Sequence, residues 1–293
     1  MKVAVTGASG MIGTALVRSL EADGHQVLRL VRREPAGPRE VRWEPGGTAD
    51  TEALAGVDAV VHLAGAGIGD RRWSAAYKRE IRESRVRGTR TVAEAMARLR
   101  PRVLVCGTAI GFYGDTGDRE VDETAPVGGG FLAGVVRDWE AAAAPAREAG
   151  VRVAFARTGV VLGRGGLVGR MLPLFRLGLG GRLGDGRQWM SWISLDDEVA
   201  GLRFLLDGDL EGPVNLTGPR PVTNAEFTRA LARAVGRPAV LAVPKPALRL
   251  ALGEFADEGA LISQRVLPRR LEEAGFVFEH ADVTAALAAA TSN

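Results

Sequence analysis

Short, nearly unbroken apolar runs alternate along the chain with segments whose apolar residues recur every three to four positions. The runs fall at Val3 to Val5, Val27 to Val31, Val41 to Trp43, Ala59 to Leu63, Arg102 to Cys106 and Arg152 to Ala156. Strands without polar alternation are buried on both faces. With helical segments between most of them, they predict an α/β fold built on a Rossmann-type, doubly wound parallel sheet. In the first crossover Met11, Ile12, Ala15, Leu16, Ser19 and Leu20 share one helical face, and Gly24 supplies a stop before the second strand. On the helix through Lys78 to Arg87 the inward face is Ile81, Ser84, Gly88, Val92 and Ala95. Its alternating charges therefore read as a solvated outer face rather than a phosphate-binding stripe.

Past Arg157 the rhythm changes. Gly163-Arg164-Gly165-Gly166 and Gly178-Leu179-Gly180-Gly181 bracket an apolar segment, Val168 to Leu177. Long glycine-bounded loops beyond the carboxyl edge of a sheet are where α/β proteins build substrate pockets. Thr223-Asn224-Ala225-Glu226 reads as a capping box opening a helix to Val235, and Pro244, Pro246 and Pro268 punctuate short helices. Ala281 to Asn293 predicts a short alanine-rich helix. The chain thus divides into a nucleotide-binding domain at 1–160, to which 193–217 returns, and a smaller C-terminal α+β substrate region at 161–293.

Composition removes several function classes. The 38 basic and 35 acidic side chains leave a net charge of only +3, a weak field that argues against a nucleic-acid partner. Only Lys2, Lys78 and Lys245 are lysines, so the arginine excess is a bias of composition. No apolar stretch reaches the roughly 18 residues that span a bilayer, so no membrane partner is expected. The first strand begins at Lys2, without a charged leader and cleavage site ahead of it, and a cytoplasmic location is expected. The single cysteine, Cys106, excludes an internal disulfide and, without clustered His or Cys partners, argues against a metal. Oligomeric state is left open.

The candidate chemistry starts at the first strand's end, in Thr6-Gly7-Ala8-Ser9-Gly10-Met11-Ile12-Gly13. Gly7 permits a tight turn, Gly10 lets backbone amides approach a pyrophosphate, and Gly13 lets the helix pack closely on the strand. Thr6, Gly7, Ser9, Gly10, Met11, Ile12 and Gly13 are the candidate cofactor contacts. Strand two ends in Arg32-Arg33, where an NAD-binding protein usually offers an acidic residue to the adenosine ribose. Arginine there accommodates a 2′-phosphate and points to NADP(H). Leu63, Ala64 and Gly65 end the fourth strand with residues that let the backbone approach the nucleotide. His62, just before them, reads as a structural histidine. Arg85 and Arg157 are candidates for an anionic ligand, with structural ion pairs as the alternative. Trp189 and Trp192 are candidates for stacking on a substrate, with packing of a long loop as the alternative.

Larger motifs add a resemblance. Cys106-Gly107-Thr108-Ala109-Ile110-Gly111-Phe112-Tyr113-Gly114, Trp139-Glu140, Arg157-Thr158-Gly159-Val160-Val161-Leu162-Gly163 and Trp192-Ile193-Ser194-Leu195-Asp196-Asp197 follow one another in order. Asn215-Leu216-Thr217-Gly218-Pro219, Gln264-Arg265-Val266-Leu267-Pro268 and Ala274-Gly275-Phe276 complete the series. Over nearly its full length the chain resembles the atypical extended short-chain dehydrogenases/reductases of the epimerase-family, or nucleoside-diphosphate-sugar epimerase-like, group. These carry a C-terminal domain of unknown function. The resemblance implies an NADP(H)-binding oxidoreductase or epimerase acting on a small polar or nucleotide-sugar-like substrate. It also implies a catalytic Ser/Thr hydroxyl, matched by Thr108, and a Tyr-x-x-x-Lys helix. Anchoring that helix on Glu140 puts Leu132 at the tyrosine position and Val136 at the lysine, and neither transfers a proton. Tyr113 is the candidate replacement acid, set against the structural or substrate-contacting role of a Tyr-Gly pair at this strand end. The missing pair leaves two rivals: a non-catalytic NADPH-binding regulatory protein, and a lyase or dehydratase working without net redox change.

Overall fold

In the computed structural model, which describes residues 1–292, seven strands lie parallel in one sheet. In chain order they are β1 (Lys2–Thr6), β2 (Gln26–Val31), β3 (Glu40–Arg42), β4 (Ala59–His62), β5 (Val103–Ala109), β6 (Arg152–Thr158) and β7 (Gly212–Leu216). Across the sheet they run β7-β6-β5-β4-β1-β2-β3, so the winding reverses between β1 and β4. At such a switch point the connections leave for opposite faces and open a crevice at the carboxyl ends. Thr6 and His62 stand side by side there, paired in register.

The unbroken apolar runs follow from burial on both faces. Val3, Val5, Val61 and Val105 pack with helix α1 (Met11–Ala22) and with helix Leu195–Asp207. Ala4, Val60, Leu104 and Cys106 pack on the opposite side with α2 (Ala75–Leu99). Each fully buried aliphatic side chain contributes roughly 1.5–3 kcal/mol, and the same burial pushes the Cys106 thiol far above its usual range, making it inert core. On α1 the predicted face is buried at Leu16 and Leu20 and half-buried at Met11, Ile12, Ala15 and Ser19. The third strand stops at Arg42. Trp43 instead bridges Ala49 and sets its ring edge against His62, 5.7 Å between centroids.

Beyond β6 a second apolar cluster forms. The segment at Val168 to Leu177 is helix Gly166–Arg176, and it joins helices Asn224–Ala234 and Val283–Thr291 around Val168, Phe175, Trp192, Phe227 and Leu287. The capping box at Thr223 is formed in both directions. Two short parallel strands missed in the apolar pattern, Val160–Leu162 and Trp192–Ser194, pair with each other as a separate two-stranded sheet. The chain then returns as β7, beside β6. Asn293, the end of the predicted alanine-rich tail, lies outside the described residues. Among the described residues no helix is long and apolar enough to cross a membrane.

Candidate functional site

The turn from β1 into α1 is dictated by its glycines. Gly7 has φ +67°, and a methyl on it would stand 2.8 Å from the Leu63 carbonyl carbon. A methyl on Gly13 would stand 2.2 Å from the Gly7 carbonyl oxygen, so only glycine lets α1 approach β1 this closely. The helix starts after Gly10 with no side chain capping it. Its first amides are therefore left for a ligand, and the helix dipole favours an anion. An open cleft of about 1520 Å³ lies along this edge, lined by Gly7, Ser9, Gly10, Arg32, Leu63 and Gly65 among others.

The two arginines ending β2 part company. Arg33 is locked to Glu40 through two charge-assisted bonds, Nη1 and Nη2 lying 2.7 and 2.6 Å from its carboxylate oxygens. The Arg33 hydrogen bond holds the Glu40 carboxyl below its ordinary range. Arg32 is exposed and has no partner among the described residues, so it is the one free to meet a phosphate at the cleft.

Thr6 is sealed from solvent. Its hydroxyl accepts from the Leu63 and Ala64 amides at 3.0 and 3.2 Å and pairs with His62 Nδ1 at 2.7 Å. Burial lowers the His62 pKa to about 4, so the ring is neutral. With both Thr6 acceptor positions taken by amides, its proton goes to Nδ1 and the ring carries hydrogen on Nε2. Thr6 thus acts as a support for the cleft loop, a correction to its reading as a direct cofactor contact. Met11 likewise turns its side chain onto the loop at Gly163 and Gly165, while Ile12 packs on the core.

At the end of β5, Thr108 is buried and donates through Oγ1 to Glu140 Oε1 at 3.2 Å. Glu140 lies on α3 (Phe131–Ala141) and receives a two-pronged bond from Arg157, 2.8 Å on each side. Arg157 also donates to the Tyr113 hydroxyl at 3.0 Å, and that hydroxyl donates to Asn215 at 2.7 Å. The guanidinium lies 3.5 Å from the Phe112 ring centroid.

Three expectations change here. Arg157 is 3 % exposed and its charge is spent on Glu140, so it holds the interior together and does not face the nucleotide. Tyr113 is also buried, its hydroxyl is saturated by Arg157 and Asn215, and burial pushes its pKa up, which disqualifies it as a free acid at the cleft. Trp192 is core, with its indole N–H donating to the Arg220 carbonyl. Trp189 is half-buried, stacked by Arg265 at 4.1 Å and bonded to Asp118. Asn215, quoted only as part of a motif, and Glu258 had no role assigned from the sequence. Glu258 caps α3 by accepting from the Phe131 and Leu132 amides at 2.9 and 3.1 Å, and nothing local in the sequence marks a cap supplied from so far along the chain.

A switch-point cleft with a glycine turn and an uncapped helix start defines a dinucleotide-binding α/β protein. The chain belongs to the NAD dependent epimerase/dehydratase family, whose profile matches residues 3–217, and a domain of unknown function, DUF1731, follows at 243–290. It is 54% identical over 293 residues to an epimerase family protein of Mycobacterium bovis, covering 99% of this chain and 97% of the relative. The human epimerase family protein SDR39U1, crystallised with NADPH, superposes with a TM-score of 0.92 at 35% identity and 99% coverage of both chains. A nucleoside-diphosphate sugar epimerase from Corynebacterium glutamicum gives 0.80 at 40% identity, matching 99% of this chain but 58% of that one.

Proposed function

We propose that the protein is an NADP(H)-dependent oxidoreductase or epimerase acting on a small polar or nucleotide-sugar-like substrate. The cofactor choice rests on Arg32, exposed, unpaired among the described residues and on the cleft at the end of β2, with Glu40 neutralised by Arg33. The human relative's NADPH supports the same choice. Met11 and Ile12 would offer backbone amides to the pyrophosphate, and Leu63 to Gly65 would flank it. When bound, the nicotinamide supplies or takes hydride; Thr108 matches the family's catalytic hydroxyl, and its proton, held by Glu140 in this structure, would have to turn from that carboxylate to reach a substrate oxygen. A charge-assisted bond is worth roughly 1.5–3 kcal/mol, so NADPH is expected to bind about ten- to a hundredfold more tightly than NADH. Calorimetric titration with both nucleotides checks this. Arg32→Asp narrows or inverts the preference, and equal affinities in the parent protein would overturn the assignment.

A second reading, a non-catalytic NADPH-binding protein, is supported by the apolar pair on α3. Leu132 and Val136 both approach the strand-end turn at Gly111, within 3.7 and 3.8 Å of where its Cβ would be. A positioned acid/base group contributes roughly 10²–10⁴ in rate, so carbonyl reduction by the parent protein is expected to be very slow. Leu132→Tyr with Val136→Lys is expected to gain NADPH-dependent reduction, followed as nicotinamide absorbance, that neither single change gives. Fast turnover by the parent would remove the support for the second reading.

A further inference from the structure

Arg85, on α2, is a cation without a counter-ion beside the nucleotide cleft. Its guanidinium lies behind Gly65, whose Cβ, if present, would stand 3.3 Å from Cζ. Nη1 donates to the Ala66 carbonyl at 2.8 Å and the Ile81 carbonyl at 3.1 Å. One face covers the Trp139 ring, 5.0 Å from its centroid. Among the described residues no carboxylate pairs with it, and burial without such a partner draws its pKa down to about 10. Among the described residues Nε and Nη2 bond to no protein atom and are not fully sealed, and the residues packed around the side chain, Gly65, Ala66 and Ser84, line the cleft. Beside them the Trp139 indole N–H is sealed and without an acceptor.

Holding the loop does not require this charge. The Gly67 and Ile68 carbonyls are already taken by the Tyr77 hydroxyl and the Trp73 indole N–H, both from the α2 side. The two bonds Arg85 makes to Ala66 and Ile81 come from one nitrogen, and the neutral amide of a glutamine has two hydrogens to make them. A half-buried positive charge with two nitrogens unmatched by protein acceptors gains from an anion that supplies them. We propose that Arg85 anchors an anionic oxygen group of the substrate, a carboxylate or a phosphate, beside Gly65. The proposal rests on the nucleotide-dependent reading above and names the substrate class for that site.

The test uses NADPH-saturated protein, in which the cofactor occupies its own phosphate contacts. Inorganic phosphate and oxalate are titrated separately at constant ionic strength and followed by thermal shift and nicotinamide fluorescence. The parent is expected to give a saturable response to at least one anion, phosphate for a phosphorylated substrate or oxalate for a carboxylate. Arg85→Gln is expected to weaken that response roughly tenfold or more while its NADPH affinity stays within about twofold. No saturable response in the parent, or an equal response in Arg85→Gln, overturns the proposal. A large loss of NADPH affinity also overturns it, since the guanidinium would then serve the cofactor. Should Arg85→Gln fail to fold, Arg85→Lys carries the comparison. A point charge in place of the planar fork is expected to weaken anion binding about threefold or more, and no change overturns the proposal. Failure of the parent to bind NADPH would overturn the nucleotide reading instead, and the anion titrations are then read on the free protein.

Discussion

Gly10→Val is expected to abolish NADPH binding, with affinity falling roughly a hundredfold or more, while the fold survives. Gly10 has φ −75° and ψ 169°, a conformation open to any residue, and its Cβ would meet only the Gly7 carbonyl oxygen, at 3.3 Å. The residue is exposed on the cleft, so a branched side chain enters the space that a pyrophosphate needs to reach the Met11 and Ile12 amides. Valine is a poor helix N-cap, which costs up to about 1 kcal/mol, or about 2–4 °C in melting temperature. Gly13→Val should do the opposite. Its Cβ would collide with backbone at 2.2 Å and force α1 off β1, so the protein itself should melt far lower. Circular-dichroism melts and fluorescence titration of both variants decide the matter. Normal binding by Gly10→Val would remove the cradle assignment, and unfolding of that variant would show that the two glycines share one structural role.

Different physical reasons made parts of this molecule legible and hid others. The sheet and the glycine turn were readable because strand burial, helical period and a tight turn are set by residues close together in sequence. The Thr223 capping box was readable for the same reason. Arg32 and Arg33 are neighbours with the same side chain, and what separates them is Glu40, on the adjacent strand β3, which takes one and leaves the other. For Arg157, Tyr113 and Trp192 the sequence leaves a ligand-facing and a structural reading side by side, because what decides between them is a distant partner: Glu140, Asn215 and the Arg220 carbonyl. A charged or aromatic residue at a strand end looks alike whether it faces a ligand or closes the core. The short strands Val160–Leu162 and Trp192–Ser194 were hidden for a related reason: each is three residues long and exists only by pairing with the other. Glu258 carries the same lesson across the molecule, since the C-terminal region supplies the missing cap of a helix in the nucleotide-binding half.

Replacing Glu198 is expected to change how stability depends on pH more than any other single charge substitution in the interior. Glu198 lies on helix Leu195–Asp207, sealed from solvent, with Oε1 accepting from the Thr158 hydroxyl at 2.8 Å and Oε2 without a partner. Burial raises its pKa from 4.5 to about 8. The folded protein therefore holds this proton at neutral pH, whereas the unfolded chain has released it. Between the two values the unfolded state binds fewer protons, so the group's contribution is complete below pH 4.5, declines as pH rises, and is lost above about 8. Glu198→Gln keeps an acceptor for Thr158 and removes the titration. Relative to the parent, the variant should gain on the order of 3–5 kcal/mol in unfolding free energy between pH 5 and pH 9. The comparison cancels the other carboxylates, which titrate in both proteins. Denaturant unfolding of the pair across that range measures it, and parallel pH profiles would mean that Glu198 is already ionised in the folded protein, stabilised by a donor or cation that the geometry does not contain.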